Sequence, residues 1–293
     1  MNYGIIGVGK VGKTLADFFY KKNQLLWVCD KVFSDLHFNK NYSGVNYFSN
    51  IEQINILPDV IFIAVEDSSI YHISVKLSEK FKFSLKGKII LHTSGILTHL
   101  ALESCKQYGA LIAKAHPYQT FSKGNDKLLE GIGWGIETDD SFGVFANIIS
   151  GLKGNPINLS SLNVNINLYH ASAVTSSNFL VTPIIFGKLL AEKAGINPSD
   201  FIPTIARTAL ETSLNFDGKK GALPLTGPIA RGDIDTVKSH IEEISSDPQL
   251  SRIYSYLALA TIEMAYYFNI INSKTKSELE KIILEKNIFV DYS

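Results

Sequence analysis

The segment Tyr3 to Leu15, YGIIGVGKVGKTL, constrains the fold more than any other stretch. An apolar run, Tyr3 to Ile6, leads directly into Gly7-x-Gly9-x-x-Gly12. From Lys10 to Lys22, Val11, Leu15, Phe18 and Phe19 then recur at helical spacing. The pattern is that of a strand, a tight turn and a helix. Gly7 makes the turn, Gly9 lets a pyrophosphate approach the backbone, and Gly12 lets helix and strand pack closely. The phosphates would lie at the helix amino-terminus, where N–H groups and the helix dipole favour an anion. Val8, Lys10 and Val11 offer those N–H groups. A second strand, Leu25 to Cys29, ends in Asp30. A carboxylate there accepts hydrogen bonds from a ribose diol and repels a 2′-phosphate, which favours NAD. The ammonium of Lys31 beside it would bind that phosphate, so the cofactor expected is NAD or NADP. Asp30 would otherwise only start a turn.

A chain of 293 residues is long enough for one large or two ordinary domains. Its 28 basic and 28 acidic residues cancel without long runs of either sign, so no nucleic-acid or membrane surface is expected. Cys29 and Cys105 match no metal or redox spacing, which fits a reduced cytoplasmic chain and no metal site. No signal peptide is evident, and apolar runs such as Tyr256 to Ile262 are too short to span a bilayer.

From about residue 45 to 160 short apolar runs alternate with helical segments. Val60 to Val65 is continuously apolar, as strands of a parallel sheet covered on both faces are. Glu66, Asp67 and Ser68 then cap a helix over Ile70 to Phe81. Further strands are expected at Lys88 to Leu91, Leu111 to Ala115, Gly133 to Glu137 and Asn155 to Leu159. Such sheets bind ligands at the carboxyl ends of their strands. Ala64, Val65, Thr93 and Ser94 would therefore line the ribose and nicotinamide. After Leu159 only helical patterns appear: Asn165 to Ala194, Pro198 to Leu214, Asp233 to Ile244 and Leu250 to Ile271. In the last, Leu250, Ile253, Leu257, Thr261, Met264 and Phe268 form a stripe suited to core or to a subunit contact. The expected organisation is a Rossmann-like domain over 1–160 and an all-α domain over 161–293.

Two polar groupings stand out in the helical part. His170, Ser177 and Asn178 lie near one face of the first helix, either as a site or as a solvated surface. In LTGPIARGD, Asp233 is a good N-cap. Arg231 would clamp a carboxylate or phosphate bidentately, or merely be solvated. The order GVGKVG, HTSG, HPYQTF, HASAVTSSNF and LTGPIARGD resembles a family of bacterial proteins with a Rossmann-like amino-terminal domain and a carboxy-terminal domain of unknown function. That family is related to the 6-phosphogluconate dehydrogenase, ketopantoate reductase and pyrroline-5-carboxylate reductase group. The resemblance implies an NAD(P)-dependent oxidoreductase, dimeric through its helical domain, with a small carbonyl, imine or hydroxy substrate in the interdomain cleft. Asn178, Thr226 and Arg231 would hold that substrate. Many relatives in the wider group carry a proton-transferring Lys one turn before the Asn; here that position is Val174. The acid or base is then expected from His116 or His170, with His92 a further candidate. His72, His99 and His240 are expected on helix surfaces. The missing Lys also fits a dinucleotide-binding sensor without turnover.

Overall fold

The computed structural model describes residues 1–31, 42–121, 126–139, 141–162 and 164–286. The chain forms two compact units, Met1–Ser177 and Asn178–Ser293. Eight strands build one sheet in the first: β1 (Tyr3–Ile6), β2 (Leu25–Cys29), β3 (Asn46–Phe48), β4 (Val60–Ile63), β5 (Ile89–His92), β6 (Leu111–Pro117), β7 (Gly133–Glu137) and β8 (Asn155–Asn158). Their order is β3-β2-β1-β4-β5-β6-β7-β8. Every neighbouring pair is parallel except β6 and β7. Helices α1 (Lys10–Lys21), α2 (Asp67–Phe81) and α3 (Phe142–Gly151) flank it. This is the expected doubly wound α/β fold.

The continuous apolar strands are explained by burial on both sides. Alternate side chains of one strand enter two separate cores. Leu15 and Phe19 of α1 and Phe145 of α3 pack with Phe62, Leu91, Ala113 and Trp134 on one face. Ile70 and Leu77 of α2 pack with Ile61, Ile63, Ile90 and Ile112 on the other. Sequence reading had no signal for the three-residue β3 or for α3, whose SFGVFANIIS reads equally as a buried strand.

The long helix α4 (Ile166–Lys193) is followed by α5 (Ile202–Leu214), α6 (Ile234–Ile244), α7 (Pro248–Tyr267) and α8 (Ser273–Lys286), of which α8 was not anticipated. No strand follows β8 among the described residues. The core of the second unit is built by Val237, Ile241, Ala258, Ile262, Ala265, Leu279 and Ile283. Of the expected α7 stripe Leu250 is buried, whereas Leu257, Thr261 and Met264 line an open groove of about 310 Å³ with Leu223 and Leu225. By length and composition α4 is apolar enough to cross a membrane, and little of it is buried. The apolar runs weighed in the sequence, such as Tyr256 to Ile262 in α7, are shorter than this helix.

Candidate active site

The glycine turn has the geometry its sequence implies. Gly7 has φ +89°, and a Cβ there would meet Ala64 O at 2.5 Å and Val65 Cγ1 at 2.6 Å. At Gly12 a Cβ would lie 1.8 Å from Gly7 O, so α1 can start against the turn only with glycine. Gly9, the N-cap of α1, differs from both: a Cβ on it would meet nothing within 4 Å. The backbone N–H groups of Lys10, Val11 and Gly12 find no acceptor among the described residues. Open space over a helix amino-terminus with spare donors suits a phosphate group. The N–H of Val8 is engaged differently, donating to Asp30 Oδ2 at 2.6 Å. Asp30 thus ties the end of β2 to the glycine turn.

At the end of β5 the HTSG sequence forms a buried turn. Ser94 N–H donates to His92 Nδ1 at 3.2 Å, which leaves the proton on Nε2 to donate to Thr98 O at 2.9 Å. Ser94 Oγ accepts from Ile96 N and Leu97 N. His92 is fully buried, and burial lowers its pKa to about 4. With both ring nitrogens committed to the turn, His92 is a structural residue and no acid or base. Thr93 is half-buried at the same edge.

Three sequence motifs meet around Gly95. Its missing Cβ would lie 2.4 Å from His170 Cδ2 and 3.2 Å from His116 Cε1. His116, at the end of β6, has its Nδ1 3.0 Å from Tyr169 Oη, and its ring lies 6.0 Å from that of His170. Tyr118 closes the group, with its ring 4.9 Å from that of Tyr169. Gly133 and Gly135 of β7 make room for these tyrosines: a Cβ on Gly133 would lie 2.7 Å from Tyr118 Cδ2, and one on Gly135 2.6 Å from Tyr169 Oη. Burial lowers the His116 pKa to about 4, with Lys114 and His170 adding to the effect. A neutral imidazole hydrogen-bonded to a phenol can take or relay a proton. Sequence reading found both histidines and missed Tyr169 and Tyr118; their places beside His170 and within HPYQTF were the available signal.

Lys114, fully buried in β6, was also missed. A charged residue inside IAKAHP was the visible anomaly. Its Nζ donates to Gly95 O at 2.8 Å and lies 5.8 Å from the Tyr169 ring centroid. His99 also departs from expectation. It bridges Glu137 through Nδ1 and Asp139 through Nε2, each at 2.9 Å, with Lys106 on Asp139 at 2.8 Å. His72 is exposed, and exposed His240 bonds Tyr254 Oη at 2.9 Å.

The remaining expected residues belong to the second unit. Asn178 is exposed on α4, eight residues after His170 on the same helix. Thr226 is exposed before the helical turn Pro228–Arg231. Arg231 is 64% exposed, with Nη2 3.8 Å from Asp233 Oδ2. Asp233 caps α6 by accepting from Thr236 N at 3.1 Å, as expected. No group of metal-ligating side chains occurs among the described residues.

Residues 132–261 match the sequence model of a family described as a domain of unknown function, DUF2520. No curated protein matches the chain. Among solved structures, a candidate NADP oxidoreductase from Bacteroides fragilis superposes with a TM-score of 0.71 at 19% identity, covering 87% of this chain and 95% of its own. A reductive aminase from Aspergillus terreus, solved with NADPH and ethyl levulinate, gives 0.60 at 14% identity, covering 96% and 98%. A pyrroline-5-carboxylate reductase from Coxiella burnetii gives 0.56 at 13%, covering 97% and 98%. The chain shares the fold of these proteins.

Proposed function

We propose that this chain is an NAD(P)-dependent oxidoreductase acting on a small carbonyl, imine or hydroxy compound, with 1–160 as cofactor domain and 161–293 as substrate and dimerisation domain. The observation that carries the reading is the open space over Gly9, at the start of a helix with spare N–H donors, on the sheet edge that also holds the histidine–tyrosine cluster. The fold shared with proteins described as NADP oxidoreductases and NADPH-bound aminases supports it. The turn at Gly7 to Gly12, Ala64, Val65, Thr93 and Ser94 would hold the cofactor, whose nicotinamide supplies or accepts the hydride. His116, oriented by Tyr169, gives or takes the proton at the substrate oxygen or nitrogen, and His170 flanks it. Asn178, Thr226 and Arg231 are the candidate substrate contacts from the helical domain. Val174, at the position where relatives in the wider group carry Lys, favours a second reading: a dinucleotide sensor that binds without turnover.

Calorimetric titration with NADH and NADPH tests the reading, with Gly9→Leu as the diagnostic variant. Because nothing packs against Gly9, the leucine leaves the fold intact and fills the phosphate space. Affinity should fall by about tenfold or more, equal to about 1.4 kcal/mol. Equal binding by both proteins, or none by either, overturns the proposal. His116→Ala then separates the two readings: an enzyme loses rate and keeps cofactor affinity, whereas a sensor has no turnover to lose.

A further inference from the structure

The segment from Ser94 to Leu102 leaves β5 carrying Gly95, the seat of His116 and His170, and ends in the helical turn His99–Leu102. Most of its ties close it on itself or on β5, with Ser94 and Thr98 held to His92 and Ile96 and Leu97 donating to Ser94 Oγ. Lys114 of β6 reaches Gly95 O. His99 reaches one strand further, because the reversal of β7 brings the carboxyl end of that strand back alongside Lys114. There Glu137 Oε1 lies 2.9 Å from His99 Nδ1, and Asp139 Oδ1 lies 2.9 Å from Nε2. A neutral imidazole has one N–H and one lone pair, so only the imidazolium can donate to two carboxylates. The contacts therefore define the charge state. The two carboxylates differ in what they lose if the proton leaves. The Asp139 side chain is 44% exposed and already holds Lys106 at 2.8 Å. That of Glu137 is 15% exposed, and its Oε2 is buried with no hydrogen-bond partner among the described residues. Stripping Glu137 of its one donor costs more than returning Asp139 to water and Lys106.

We infer that His99 is a pH-sensitive strap: as an imidazolium it ties the Ser94–Leu102 segment to β7 and steadies Gly95 beneath His116 and His170, and on losing its proton it releases Asp139 and loosens that seat. The inference concerns the seat itself and holds whatever the cluster binds. Charged groups face His99 from each neighbouring element. Glu137 comes from β7 and Asp139 from just beyond it, while the single turn Glu103–Lys106 brings Glu103 and Lys106. Lys114 on β6, neutral His92 on β5 and Asp67 at the start of α2 complete the surroundings. The hydrogen bond to Glu137 raises the His99 pKa most, partial burial opposes it, and the bond to Asp139 adds to the rise. The strap is therefore closed below the ordinary histidine pKa and opens as pH climbs through the raised one.

Amide hydrogen exchange of the full chain without cofactor tests the strap, read by mass spectrometry on peptides within 94–102 and corrected for the intrinsic rate at each pH. Between pH 6 and pH 9 the protection of wild type should fall about tenfold or more, as loss of one charge-assisted hydrogen bond implies, while that of β4 holds. His99→Gln donates through one end and accepts through the other, like the neutral imidazole, and should show the lowered protection at both pH values. His99→Arg keeps the charge and should stay protected at both. Wild-type protection that does not change with pH overturns the inference. A fall in His99→Gln as large as in wild type also overturns it, since the titrating group would then be Lys114 or another neighbour. If circular dichroism shows His99→Arg unfolded, wild type against His99→Gln decides.

Discussion

His92 and His99 respond to pH in opposite directions because one is buried neutral and the other is held between carboxylates. His92 and His116, each lowered to about 4, stabilise the fold fully above the unfolded histidine pKa, and that stability is lost as pH falls. The unfolded chain takes up protons near pH 6.5 while the folded chain resists until about 4. Each therefore removes about 2 kcal/mol of stability by pH 5, an order-of-magnitude figure. The pKa of His99 is raised, first by its hydrogen bond to Glu137 and then by that to Asp139. Its stabilisation is complete below the unfolded pKa and fades as pH rises through the folded one. Urea unfolding at pH 7 and 5 should show a net loss at the lower pH, which His92→Asn should diminish. An unchanged pH slope in that variant would mean that His92 does not titrate as its burial implies. None of this was legible in the residue types alone. A histidine in HTSG and one in LTHLAL look alike in sequence, and only the packing separates them.

At the scale of elements, the glycine turn was fully legible because its three glycines serve short-range sterics that the motif encodes. The structure ranks them. Gly12→Ala sets a Cβ against Gly7 O and should cost about 1–3 kcal/mol through forced displacement of α1, read as a lowered urea midpoint. Gly9→Ala should stay within about 0.5 kcal/mol of wild type, since its Cβ meets no atom. Equal losses at the two positions would contradict the close fit of α1 on the turn. The parallel strands were equally readable from their continuous apolar runs. The antiparallel setting of β7 was not, because strand direction depends on the path of the connection and leaves no mark in GIGWGIE. The cluster around Gly95 was legible only in pieces. His116 and His170 stand in motifs separated by fifty residues and more, and their meeting depends on three glycines that carry no side chain to announce a contact.

At the scale of the whole molecule, the second unit leaves large apolar side chains on its surface. Phe179, Val181, Ile185 and Leu189 of α4 are all exposed, together with Leu210 and Leu214 of α5. Isolated exposed leucines are ordinary, but a run along one long helix marks a surface that another body covers. A second copy is the occupant we favour, and light scattering should give twice the 32.4 kDa chain mass. Phe179→Glu with Ile185→Glu should shift the protein to monomer while leaving NADPH affinity at the glycine turn within about twofold. A wild-type monomer, or recovery of the chain only with detergent, would point instead to a membrane occupant for α4.

The reversal of β7 has a further consequence. Carboxyl ends of successive strands, β1, β4, β5 and β6, form a row along one edge, and at β7 the row stops because that strand presents its amino end there. Three strand spacings span about 14 Å. Tyr118 and Tyr169, seated in the hollows left by Gly133 and Gly135, stand at the far end as a wall. On the oxidoreductase reading the strand count would act as a ruler, setting the longest object that fits between the glycine turn and the tyrosines by counting strands rather than by shaping a pocket.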